Sequence, residues 1–520
     1  MLSFPLRLVV VTSCLLAISL FTFSSPLRAG DTITWGKPTE LISFDPQHSG
    51  DGASWDLFFL VYQQLLSTDD DYHLAPGLAE QWERVSPTSY RFHLVKTAAF
   101  SNGRALTSDD VVGSFKRLTD AETGGVWDKQ LGKLAAIVAE DEHTVRFDLE
   151  EPNTAFLNVL AAAPTSILPM KELNDGSFDP KKALLGSGPF MVAEHVQDEF
   201  WKLERNPHYG RKDRPVVDEF VIKVLPNDNA RIAALRDGQV DIATFDNANT
   251  PQLLHGVPNV QVIKQNTTSY FRLDVNAKGD DSPFNDKRVR QAMNYALDRE
   301  SIAKIVFGGE AKVEYPIPSG LGVDACRNDP FYAMPRSERL AKARALLKDA
   351  NKDGVEISVI GSAAVDVYSL IAQVIQGNLD GAGFKAKVEK IPTAEWYERV
   401  FVAHPRFDLA VSWYAGYTDP AMVLYWWTPE GAKGWADGYT VADDRLTAAI
   451  QKVRSLPSGP ERLAAMKMAC GLIDEDSNVV ALVGKPDYIA YRTDLVRVRL
   501  GLNEGNFRTI KYAELFARKH

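Results

Sequence analysis

The stretch WYAGYTDP sets Trp413, Tyr414 and Tyr417 around Gly416 and ends on Asp419 and Pro420, with Tyr425, Trp426 and Trp427 close behind. Aromatic rings supply a large, rigid contact area, and a glycine lets the backbone come close to a ligand. That is the chemistry of holding a solute. Trp413, Tyr414, Gly416, Tyr417 and Asp419 are therefore candidate ligand-binding residues, whereas Trp426 and Trp427 serve equally well as core or inter-domain packing. A second candidate is Ser49, Gly50, Asp51, Gly52 and Ala53, which offers backbone amides at a helix start to polar or anionic groups. A helix cap by Ser54 and a solvated turn account for the same residues.

Reaction chemistry finds little support. The chain contains no G-x-S-x-G, H-E-x-x-H, P-loop or G-x-G-x-x-G pattern. Ser301 to Lys304 fits S-x-x-K, but its K-T-G and S-D-N companions are missing, so it reads as helix surface. A secreted hydrolase is thus the weaker alternative of another class. The nine histidines are scattered without ligand spacing. His48, beside the Ser49 loop, is the only one placed to matter, and Asp69, Asp70 and Asp71 read as a solvated turn. No cofactor is expected.

The elements that would position these loops are clearest in the second half. VEISVI from Val355 alternates as a strand, DVYSLIAQVIQGNL from Asp366 has helical spacing, and FKAKVE from Phe384 alternates again. Strand, helix and strand make a βαβ unit. FDLAVSW, Phe407 to Trp413, predicts a further strand deep in the same sheet. RVRQAMNYALDRE and SERLAKARALLKDA predict two helices before it, with Val289, Ala292, Met293, Ala296 and Leu297 on one face of the first, and Leu340, Ala343, Leu347 and Ala350 on one face of the second. Ligands of such an α/β region bind beyond the carboxyl ends of its strands, which selects Gly361 to Ala363 and Tyr414 to Asp419. In the first half, TITWG from Thr32 predicts a strand, and SWDLFFLVYQQLL from Ser54 a helix.

Composition bounds the class. The chain has 520 residues, 45% hydrophobic and 24% charged, with a formal net charge of -10, the balance of a soluble globule. Arg7 followed by the apolar run Leu8 to Phe23 and the small Ala29 reads as a secretory signal peptide, residues 1–29, cut after Ala29. The run falls short of the roughly 20 residues needed to span a bilayer. VTSC at Cys14 resembles a lipoprotein box but sits inside that run. Removing the leader takes away two arginines and no acid, bringing -10 to -12, and nucleic acid is not an expected partner. Cys326 and Cys470 remain, free to bridge or not. The mature length predicts two or more domains, interleaved because no linker divides them.

Several segments resemble the extracytoplasmic solute-binding proteins of the dipeptide, oligopeptide and nickel type, in the same order along the chain. These are PGLAEQWERV from Pro76, YRFHLVKTAAFSNGRALTSDDVVGSF from Tyr90 to Phe115, GSGPF from Gly186, NPHYG from Asn206, ALRDGQVDIA from Ala234, SPFNDKRVRQAMNYALDRE from Ser282, and FDLAVSW. The resemblance implies an α/β, two-lobed periplasmic-binding-protein fold (type II, cluster C) with an extra subdomain on the first lobe. The implied division is residues 30–62, 187–270 and 490–520 for lobe I, 63–186 for the extra subdomain, and 271–489 for lobe II. It further implies a monomeric periplasmic component of an ABC importer that captures a small solute, foremost a di- or oligopeptide, and delivers it to an inner-membrane permease. Opines, oligosaccharides, nickel chelates and haem are the non-peptide alternatives. One departure stands out: peptide-binding members commonly hold the ligand's α-amino group with an Asp where this chain has Gly416.

Overall fold

The computed structural model describes residues 31–519 apart from 42, 50–51, 70–72, 121–124, 126, 212, 246–249, 266–267, 328–329, 364–365, 402–403, 415, 434, 499–512 and 515. The leader, including the expected cut after Ala29, lies outside the described residues, as do Gly50, Asp51, Asp70 and Asp71.

Two large mixed sheets dominate. The first has seven strands in the spatial order Val260–Gln265, Asp487–Arg492, Ile242–Phe245, Thr32–Lys37, Glu219–Val224, Phe200–Arg205 and Phe190–Val196. The alternation of TITWG places Ile33 and Trp35 fully inside, and this strand runs parallel to both of its neighbours. The second sheet has five strands in the order Lys385–Ile391, Glu356–Ser362, Leu409–Tyr414, Tyr270–Val275 and Val479–Gly484. The predicted βαβ unit is present: Glu356–Ser362 and Lys385–Ile391 pair in parallel, joined by the helix Asp366–Ala382. FDLAVSW supplies the central strand, buried along almost its whole length.

A separate four-stranded antiparallel sheet is built from Ala79–Ser86, Ser89–Leu94, Thr144–Leu149 and Leu134–Asp141. Its core is aromatic, with Phe147 ringed edge-on by Phe92 and Phe115. The helix Ser108–Leu118 is entered from Thr107. Thr107 and Asp110 form a reciprocal capping box, and Asp109 and Asp110 sit at the positive end of the helix. Gly103 takes φ 87° in the turn before it.

Three expectations change in detail. The helix from Ser54 spans Gly52–Val61, so Ser54 lies inside it and its hydroxyl accepts from the Ser43 amide. It stops five residues early because the Val61 carbonyl accepts from Gly188 N, and because Leu66 pairs with Pro76 in a short hairpin. RVRQAMNYALDRE is two helices, Lys287–Ala296 and Arg299–Phe307, because Asp298 caps the second by accepting from Ser301 N. Gly361 and Ser362 end their strand buried, leaving Ala363 alone as turn. Cys326 and Cys470 are joined in a disulfide, their Cα atoms 5.5 Å apart. Among the described residues no helix is long and apolar enough to cross a membrane.

Candidate ligand-binding site

The chain passes between the two large sheets twice. It leaves the seven-stranded sheet at Gln265 and enters the five-stranded one at Tyr270, then leaves at Gly484 and returns at Asp487. The crossings lie side by side, because Tyr270 pairs with Gly484 and Gln265 with Asp487. Lys485 N donates to Ser269 O at 3.0 Å between them. Both sheets turn the carboxyl ends of their parallel strands to this junction. Lys37 and Phe245 end there on one side, and Tyr414, opposite Tyr270, ends there on the other. Strand ends, loops and helix starts from two lobes therefore converge at one place, which is where an α/β protein binds its ligand.

The loop after the central strand is fastened to this junction. Gly416 N donates to Ser269 Oγ at 2.9 Å. Tyr414 stacks on Tyr270 with ring centres 5.3 Å apart, and its hydroxyl donates to the Val423 carbonyl at 2.6 Å. Burial pushes the Tyr414 phenol well above its ordinary range. Trp413 points to the other face of the sheet from Tyr414 and is half-buried, with the Lys485 ammonium 5.9 Å from its ring centre. Asp419 caps the helix Pro420–Tyr425 by accepting from Ala421 N and also receives Arg462 at 2.8 Å. Its place here is as a cap and an ion-pair partner.

Tyr417 reaches residues far from its own loop in the chain. Its ring lies 5.6 Å from Trp127, and Trp127 in turn meets Trp55 of the helix Gly52–Val61 at 5.4 Å. Polar contacts follow the same seam. Asn158 Nδ2 donates to Thr418 Oγ1 at 3.0 Å and Gln130 Nε2 to Met422 O at 3.1 Å, while Thr154 N donates to Arg454 O at 2.7 Å. Arg462 joins both sides, donating to Thr154 Oγ1 at 3.1 Å as well as to Asp419. Trp426 and Trp427 pack around this seam, against Tyr417 and Tyr414 respectively.

Charge at the junction is paired. Lys37 meets Asp56 at 3.3 Å and Lys485 meets Asp487 at 2.8 Å, all four buried. Deeper in the five-stranded sheet, Arg272 Nε lies 3.0 Å from Asp274 Oδ1, and its guanidinium stacks between Tyr414 and Trp435. Burial raises the Asp274 carboxyl, with Arg272 opposing. Near the Ser49 loop, Asp45 takes Arg117 and, at 2.8 Å, His48 Nδ1. Burial works to raise the Asp45 carboxyl, but the Arg117 guanidinium outweighs it and holds the group below its ordinary range. Ser49 itself is buried, its carbonyl accepting from Trp55 Nε1.

The structure thus brings Tyr414, Gly416, Tyr417 and Asp419 to one junction and puts Trp413 beside Lys485. The residues that complete it, Ser269, Lys485, Trp127, Trp55 and Arg462, carried no local signal. Each is an isolated residue in its own stretch and gains meaning only from partners far away in the chain. Among the described residues no group of three or more His, Cys, Asp or Glu side chains is placed to hold a metal ion.

Two lobes joined by paired crossings, with aromatic loops at the junction, define a two-lobed periplasmic-type binding protein. The model for "Bacterial extracellular solute-binding proteins, family 5 Middle" matches residues 73–435, and the chain belongs to this family. It is 28% identical over 407 residues to the oligopeptide-binding protein AppA of Bacillus subtilis, covering 74% of each chain. It is 26% identical over 510 residues to the periplasmic oligopeptide-binding protein OppA of Salmonella typhimurium, covering 90% of this chain and 89% of that one. Among solved structures, AgaA of A. tumefaciens R10 with agropinic acid superposes with a TM-score of 0.82 at 24% identity, over 94% of this chain and 99% of that one. DppA of Helicobacter pylori with the peptide STSA gives a TM-score of 0.81 at 23% identity, over 94% and 98%.

Proposed function

We propose that this protein is the periplasmic substrate-binding component of an ABC importer, taking a di- or oligopeptide between its lobes and passing it to an inner-membrane permease. The observation that carries the reading is the family match over most of the chain, joined to a fold whose two lobes share one junction. Relatives named as oligopeptide-binding proteins support the peptide. Residues 1–29 act as the export signal, and the Cys326–Cys470 disulfide suits an oxidising compartment. Lobe I comprises residues 30–62, 187–270 and 490–520, the extra subdomain 63–186, and lobe II 271–489. The protein works as a monomer and returns its ligand chemically unchanged. Ser49, Gly50, Asp51, Trp413, Tyr414, Gly416 and Tyr417 contact the ligand, with Asp419 setting the loop.

Binding favours the closed arrangement in proportion to the ligand's better affinity for it. A second reading, a ligand without a free amine such as an opine, has a specific observation behind it. At the loop nearest the junction, Asp419 is engaged by Arg462 and by its own helix, and Gly416 brings only backbone. Mass spectrometry of the solute that co-purifies with the protein, followed by thermal-shift titration with a peptide library, separates the two. Peptides that raise Tm support the first reading. A response to opines or metal chelates with none to any peptide overturns it.

A further inference from the structure

A pocket behind the junction's aromatic seam lies against the segment 426–441, the helices Asp444–Ser455 and Pro460–Asp476 and the start of the strand Val479–Gly484. Trp426, Trp427 and Trp435 line it together with Asp476 and Asn478. The two polar residues are 8% and 6% exposed. Asp476 Oδ1 takes the Lys287 ammonium at 3.1 Å, while Oδ2 is buried with no partner. Asn478 Nδ2 donates to Val441 O at 2.9 Å, which orients the amide and leaves Oδ1 as a buried acceptor, also without a partner. The indole N–H groups of Trp426 and Trp427 are likewise buried without a partner, and the two orphaned acceptors beside them call for N–H donors from an occupant. A carboxylate beside three indoles favours a cation over a neutral group.

We propose that this pocket is an accessory site for a small primary ammonium group, which donates to Asp476 Oδ2 and Asn478 Oδ1 and rests among the indoles of Trp426, Trp427 and Trp435. The site is independent of the peptide reading of the junction. It is linked to the junction physically, since Trp427 leans on Tyr414 with ring centres 5.3 Å apart and Trp435 covers the Arg272 guanidinium at 4.5 Å.

The test titrates the whole exported protein with methylammonium chloride, at ionic strength held constant with NaCl, by calorimetry and tryptophan fluorescence. A saturable response is expected, together with none from methanol and a much weaker one from acetamide. Asp476→Asn weakens methylammonium by roughly tenfold or more, and Asn478→Asp, which adds a second carboxylate, tightens it. Trp413→Ala, at the junction, leaves the response in place. Circular dichroism confirms that each variant is folded, and Asn478→Asp provides the decisive arm if Asp476→Asn is not. The proposal is overturned by no saturable response in the native protein, by an equal response to acetamide, which would mean a pocket for water or any polar group, or by loss of the response in Trp413→Ala.

Discussion

Gly416 donates its amide to the hydroxyl of Ser269 across 2.9 Å, tying the aromatic loop to the strand crossing between the two large sheets. Loop and crossing are therefore one unit. Ser269→Ala is expected to cost about 1 kcal/mol of stability, the ordinary worth of one such bond, and to weaken ligand binding by more than that cost. Denaturant titration and calorimetry on the same variant check it.

Arg462 is shared by Asp419 and Thr154, and its removal leaves a carboxylate at the seam without its cation. Arg462→Met is expected to destabilise by about 3 kcal/mol. Adding Asp419→Asn should recover part of that loss. A double-mutant cycle in urea measures the coupling, and simple additivity would contradict the arrangement.

Trp127 links Trp55 to Tyr417 across the seam. Trp127→Ala removes that bridge and is expected to shift the unliganded protein toward open forms. Small-angle scattering should then show a larger radius of gyration without ligand and a return toward the native value with it. An unchanged profile would show that the aromatic bridge does not hold the lobes together.

The Cys326–Cys470 bond closes a loop with a sequence separation of 144. Replacing both cysteines with serine is expected to cost roughly 3–5 kcal/mol, chiefly by freeing the unfolded chain. Urea melts of the native protein with and without reductant should reproduce the same difference.

Asp45 has a folded-state pKa below its ordinary value, so its stabilisation is fully present above the unfolded pKa and is lost as pH falls through the folded one. Asp45→Asn should lower Tm at neutral pH and flatten the acid limb of the Tm profile below the ordinary carboxylate range. If the native and variant limbs run parallel, Asp45 carries no such linkage.

Local patterning explains what could be read from the chain beforehand. Glu356 to Ile391 was legible because its apolar residues switch from a period of two to 3.6 and back, with glycines at the second break. The helix after Ser54 ran too far on paper because the apolar run continues to Leu66. Partners distant in sequence end it, Gly188 at the Val61 carbonyl and Pro76 opposite Leu66. The junction between the sheets was half legible. Its aromatic loop stands out by composition, whereas Trp127 and Arg462 belong to it through partners 290 and 308 positions away, Tyr417 and Thr154 respectively. No window of sequence contains such a pairing.

The two crossings lie shoulder to shoulder, locked by Lys485 N on Ser269 O and paired on both flanks. A ribbon of that kind resists shear and splaying but yields to twist, so it behaves as an axle. One lobe can swing about it as a rigid body, the two sheets unchanged, on the microsecond-to-millisecond scale of hinge motions. Solute entry and release then share a single coordinate, and any change that stiffens the axle slows both.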